Sequence, residues 1–196
     1  MLTLRSCPLL IAALPLALVA CSEKAPEEPP AATAEEALAV DHSDPLASAM
    51  AAAPAALASG ATIVTMSDDG TMQTLREGNN GYTCMPDNPV TPGPDPMCMD
   101  ANALAWAMAW IGHEPPPVEN PGFMYMLAGG TDASNTDPYA TNPAEGSDWI
   151  KTGAHVMIVG SEKALKGYPS GPNPDTAVPY VMWAGTPYAH LMIPVD

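Results

Sequence analysis

Two pentapeptides carry imidazole and thioether side chains in the same order. Ala154-His155-Val156-Met157-Ile158 and Ala189-His190-Leu191-Met192-Ile193 agree at four of five positions. Side chains on a strand alternate between faces, so His155 falls with Met157, His190 with Met192, and Met124 with Met126. If these strands are neighbours, a His/Met stripe forms on one side of a sheet. Imidazole and thioether donors suit soft ions such as Cu(I) and Ag(I). Methionine is also a plastic core residue, and a chain with 13 Met and 1 Phe has few other large apolar groups to use. The sequence favours that second reading, a methionine-rich core with satisfied histidines. It assigns no metal and no cofactor.

A second constellation is Asp132-Ala133-Ser134-Asn135-Thr136-Asp137-Pro138. Its oxygen donors could approach a calcium ion, but it lacks the acid count and closing glutamate of a recognised calcium loop. An Asx-rich turn accounts for it as well. A third is a polar rim around a pocket, because long loops on a rigid sheet are where binding residues usually lie. The binding residues nominated on these grounds are Asp132, Ser134, Asn135, Asp137, His155, Tyr188 and His190, with Trp149 on the same rim. None is assigned a catalytic role. No Gly-x-Ser-x-Gly elbow, Ser-x-x-Lys, His-Glu-x-x-His or Walker loop is present, and His113-Glu114 runs straight into Pro115-Pro116-Pro117. These absences point to a non-catalytic binding or interaction module. The alternatives are an enzyme with an unrecognised site around His155 or His190, and a copper-binding protein.

The elements that must position these residues are short. Asp44-Pro45 starts an Ala-rich helix by carboxylate capping and proline at the first helical position, running from Ala47 to Leu57 with Pro54 as a weak point. Thr33-Ala34-Glu35-Glu36 has capping-box spacing for a shorter helix before it. Ala61–Met66 and Met72–Glu77 read as a hairpin about Asp68-Asp69-Gly70, and Tyr82-Thr83-Cys84 as a further strand. Asp100 caps a helix from Ala101 to Ile111, ended by Gly112. It is apolar nearly all round, carries Trp106 and Trp110, and is expected to be buried. Later strands are Phe123–Ala128, His155–Val159, Tyr180–Ala184 and His190–Val195. The expected fold is α+β: a mainly antiparallel sheet with one buried Trp-containing helix and an N-terminal Ala-rich helix.

The cysteines and the N-terminus speak of compartment. Arg5 and the apolar run from Pro8 to Ala20 have the form of an export signal, too short for a membrane span. The run ends Leu18-Val19-Ala20-Cys21, which resembles the bacterial lipobox. That resemblance implies cleavage before Cys21, acylation of Cys21 and, with Ser22 next, sorting to the periplasmic face of the outer membrane. The implied partner is the lipid bilayer, reached through the acyl anchor. With Cys7 in the signal and Cys21 lipidated, Cys84 and Cys98 remain as an even pair for an oxidising compartment, and are read as a disulfide. Residues 1–20 are then signal, 21–45 an Ala/Pro/Glu-rich tether and 46–196 a single domain.

The net charge of -16 becomes -17 once Arg5 leaves with the signal, 22 acidic against 5 basic side chains. Such a chain repels phosphate backbones, so nucleic acid is excluded as a partner. Several segments together resemble a group of uncharacterised bacterial exported proteins: Leu75-Arg76-Glu77-Gly78-Asn79-Asn80-Gly81-Tyr82-Thr83-Cys84, Asp95-Pro96-Met97-Cys98-Met99-Asp100, Tyr125-Met126-Leu127-Ala128-Gly129-Gly130, Ala133-Ser134-Asn135-Thr136-Asp137-Pro138, and the ending from Tyr180 to Met192. The likeness spans residues 46–196 and implies an extracytoplasmic domain. It lends no catalytic residue.

Overall fold

Asp44 does what its position before proline requires. Its side chain accepts a hydrogen bond from the Leu46 N–H at 2.9 Å, and Pro45 opens helix α1, Pro45–Ala51. The expected helix through Leu57 is in fact two. Pro54 has no N–H to donate and sits at φ -52, ψ 136, outside the helical region, so the chain breaks and restarts as α2, Ala55–Ala58. The computed structural model describes residues 43–195 apart from 68, 69, 92 and 144–147. The chain divides into two units, Met1–Ala31 and Ala32–Asp196, and every described residue belongs to the second. The signal, Cys21 and the Thr33 capping box lie outside the described residues.

Eight strands make one sheet in the order β2-β1-β3-β4-β5-β8-β10-β9, and β6 and β7 pair separately. In chain order they are β1 Thr62–Met66, β2 Met72–Arg76, β3 Thr83–Met85, β4 Met97–Met99, β5 Gly122–Met126, β6 Ala133–Ser134, β7 Trp149–Ile150, β8 His155–Val159, β9 Tyr180–Met182 and β10 His190–Pro194. All pairs are antiparallel except β1 with β3, so the sheet is mixed and the fold broadly α+β. Strand β4, and the small β6–β7 pair, were not expected from the sequence. Three-residue β4 is hidden behind a proline-rich run and is held by neighbours on both sides. The Cys84–Cys98 disulfide is present and joins directly opposite residues of β3 and β4, with Cα atoms 3.9 Å apart.

Helix α3, Ala101–Ile111, links β4 to β5 and covers one face of the sheet. The Asp100 carboxylate caps it through the Ala103 N–H at 2.8 Å, and its other oxygen accepts from the Phe123 N–H at 3.0 Å, tying helix start to strand start. The helix is buried on one side only. Ala103, Trp106 and Ala107 are buried, whereas Ala101, Asn102, Ala105 and Ile111 are exposed, because apolar alanine on an outer face costs little. The expected burial of this helix therefore holds for the face that carries Trp106 and not for the opposite one. Helices α1 and α2 pack on the opposite face, over Ile63, Cys84 and Cys98.

Candidate functional site

The strand registers turn the expected stripe into a row. Met99 stands opposite Met124, Met124 opposite Met157, Met157 opposite Met192, and Met192 opposite Tyr180. The same face carries His155 two residues before Met157 and His190 two residues before Met192. Strands β8 and β10 run antiparallel, so the histidines flank the Met157–Met192 pair on opposite sides. His190 stands opposite Met182. Helix α3 lies over this face and does not fill it. A cavity of about 120 Å³ remains, lined in part by His155, His190, Trp106, Trp183, Thr131 and Asp95. Six methionines complete much of its wall: Met97, Met124, Met126, Met157, Met182 and Met192.

Both histidines use the same local device. His155 Nδ1 lies 2.7 Å from the Gly153 carbonyl oxygen, and His190 Nδ1 lies 2.9 Å from that of Tyr188, each two residues back. A carbonyl only accepts, so in each contact Nδ1–H is the donor. The ring's remaining nitrogen is then Nε2. Burial holds the His190 imidazolium down at about 4, the Tyr188 hydrogen bond opposes that, and the nearby His155 adds to it. His190 is therefore a neutral ring at neutral pH, with its lone pair on Nε2. Gly130 makes room for His155, since a Cβ there would come within 2.8 Å of His155 Cε1 and 2.6 Å of Thr152 Oγ1.

The aromatic wall is held firmly. Trp183 has φ 56, a left-handed conformation in which a bulky residue is strained. Its N–H donates to the Asn135 carbonyl at 2.8 Å, its indole N–H to the Ser134 carbonyl at 2.9 Å, and its own carbonyl accepts from Thr186 Oγ1 at 2.8 Å. These bonds hold the ring parallel to Trp106, centroids 6.3 Å apart, and edge-on to His190 at 4.8 Å. Trp106 Nε1 and Thr131 Oγ1 are buried without a protein hydrogen-bond partner. Two polar atoms of the wall are thus left over by the fold.

Asp95 enters the wall from the proline-rich loop. Burial pushes its carboxyl up to about 6; the Asn88 N–H, at 2.9 Å, lowers it, and the neighbouring Asp87 carboxyl raises it further. The Asp95 backbone N–H donates to Asp87 Oδ1 at 2.7 Å.

Of the residues nominated from sequence, His155 and His190 come together on this cavity. Asp132 is not in that wall; it lines a second pocket with Gly93 and Pro94, which shares Gly130 and Thr131 with the cavity. Ser134, Asn135, Asp137 and Tyr188 are not part of the cavity wall. Ser134 Oγ accepts from the Asp137 N–H at 3.0 Å, and Asp137 Oδ1 from the Tyr139 N–H at 2.9 Å, so local turns follow directly on strand β6. Asn135 Nδ2 reaches the Gly171 and Pro172 carbonyls, and Tyr188 Oη donates to the Glu114 carbonyl at 2.9 Å. Trp149 sits in the β6–β7 pair. Among the described residues no group of three His, Cys, Asp or Glu side chains converges. Sequence reasoning missed Asp95, Thr131, Thr152 and Trp183, because nothing local in their segments marks them for this wall.

A scan against protein-family models, a search of curated proteins and a search of solved structures return no match for the chain.

Proposed function

We propose that the chain is an envelope lipoprotein, anchored through Cys21, whose domain is a non-catalytic module that binds a compact ligand in the His/Met/Trp cavity. The observation that carries the binding reading is the cavity itself: about 120 Å³ walled by thioethers and indoles, with His155 and His190 among its lining residues. An apolar pocket with a few convergent polar groups is the usual form of a small-ligand site. An engineered cavity of about 150 Å³ is large enough to hold benzene, so a ligand of a few heavy atoms fits this one. The acidic charge, -16 over the chain, disfavours an anionic ligand or a phosphate-bearing partner.

The enzyme reading has less support. A histidine base is normally oriented by a carboxylate and titrates near the working pH. Here the Nδ1 of both rings is engaged by a backbone carbonyl, and burial keeps His190 neutral down to about 4.

Trp106, Trp110 and Trp183 all line the cavity, so tryptophan emission reports its occupancy. Titration with benzene, phenol and soft monovalent cations is expected to give a saturable change with at least one class. A flat response to every probe, with the indole NMR signals unmoved, would remove the binding reading.

A further inference from the structure

Deepening that binding reading, and resting on it, we propose that the cavity holds a soft monovalent cation, Cu(I) or Ag(I), ligated by Nε2 of His190 and by thioethers of Met157, Met182 and Met192. Met182 is the cross-strand neighbour of His190, Met192 follows His190 by two residues on the same face, and Met157 stands opposite Met192. All four side chains line the same cavity and are at most 7% exposed. The hydrogen bond from Nδ1 to the Tyr188 carbonyl orients the ring and leaves Nε2 as the donor nitrogen, the arrangement that metal-bound histidines usually have.

The donor set selects the ion. Thioether and imidazole are soft or borderline neutral ligands, which suit Cu(I) and Ag(I) and are poor partners for calcium or magnesium. Zinc prefers thiolate, imidazole and carboxylate, and among the described residues no three such groups converge. The wall offers one carboxyl, Asp95, against which a single positive charge is easier to bury than two. The rings of Trp106 and Trp183 lie 5.4 and 4.8 Å from the His190 ring and share the cavity wall with it. The pairing of a repeated His-x-Met unit with one-Phe, 13-Met composition is then a ligand inventory as well as a core.

The test is an anaerobic titration of the full chain with Cu(I), using bicinchoninate as competitor and tryptophan emission as readout. Ascorbate serves as reductant because it leaves the Cys84–Cys98 disulfide intact. Cys7→Ser/Cys21→Ser removes the other thiols, which would otherwise bind Cu(I) themselves. The expected result is one Cu(I) per chain with quenched emission. Met157→Leu/Met192→Leu conserves volume and deletes two thioethers, and His190→Gln deletes the ring. Each removes direct ligands, so each is expected to weaken binding by at least about 10–100-fold, the scale on which even the outer-shell partners of a metal act. Circular dichroism of the Leu variant confirms the fold even if His190→Gln does not fold. No saturable binding in competition, or binding unchanged in the folded Leu variant, overturns the proposal. If Cu(I) fails and benzene or phenol still saturates the emission change, the metal assignment falls while the binding reading stands. If all probes fail, both fall.

Discussion

At the scale of single residues, the two perturbed groups of the cavity oppose one another in pH. His190 has its pKa lowered from 6.5 to about 4 by burial, so its contribution to stability is present above 6.5 and is lost as pH falls through 4. Asp95 is raised from 3.8 to about 6, again chiefly by burial, so its contribution is present below 3.8 and is lost as pH rises through 6. Between those limits the two slopes partly cancel. The substitutions separate them. Relative to the parent, Asp95→Asn should gain stability progressively from pH 4 to above 6, because it removes a carboxyl that is costly to ionise. His190→Gln should lose less stability than the parent on acidification from 6.5 towards 4, whatever its stability at neutral pH. Urea midpoints across this range decide both. Curves parallel to the parent would mean that neither group titrates as its burial requires.

At the scale of elements, the helix–sheet contact is unusually close at one point. A Cβ on Gly122 would lie 2.3 Å from Ala103 N and 2.7 Å from Ala103 Cα, both backbone atoms that cannot rotate away. Gly122→Ala should therefore cost at least about 1–3 kcal/mol, the usual penalty of overpacking, by prising α3 from β5. Gly171 has open space around it and no positive φ, so Gly171→Ala should be neutral or slightly stabilising, by about 0.4–1 kcal/mol. Thermal melts of the two variants make the comparison. If both behave alike, the close approach of α3 to the sheet is wrong. The disulfide belongs to this scale too. It closes a loop of sequence separation 14 between adjacent interior strands, and Cys84→Ala/Cys98→Ala should cost about 3 kcal/mol on the chain-entropy account. A loss well under 1 kcal/mol in denaturant would show that the β3–β4 ladder holds the loop unaided.

At the scale of the whole molecule, the proposed anchor and the folded unit make separate demands. Among the described residues no helix is long and apolar enough to cross a membrane. Attachment through Cys21 would then rest on acyl chains, each buried methylene contributing about 0.8 kcal/mol. Mass spectrometry of the mature protein should find a tri-acylated N-terminus at Cys21, and Cys21→Ser should release the chain from the membrane fraction. An unacylated N-terminus at another residue would sink the lipoprotein reading. The strong acidity fits the same picture, since it offers no electrostatic attraction to anionic headgroups.

Much of the element pattern was legible locally. The Asp44-Pro45 cap, the Asp100 cap, the strand beginning at His155 and that beginning at His190 all follow from side chains acting within a few residues of themselves. So did the pairing of Cys84 with Cys98, an expectation from cysteine arithmetic that the structure meets. The period of two was enough to put each histidine on a face with its methionine. What it could not determine was which strands are neighbours. Only the tertiary order β5-β8-β10-β9 sets Met124, Met157 and Met192 in one row and brings Met182 beside His190. Only the placement of α3 and of the strained Trp183 over that row leaves a cavity rather than a filled core. The proline-rich loop that delivers Asp95 has no periodicity to read. Strand order, and the gap left between layers, depend on how remote surfaces fit, and residue types acting locally do not specify that fit.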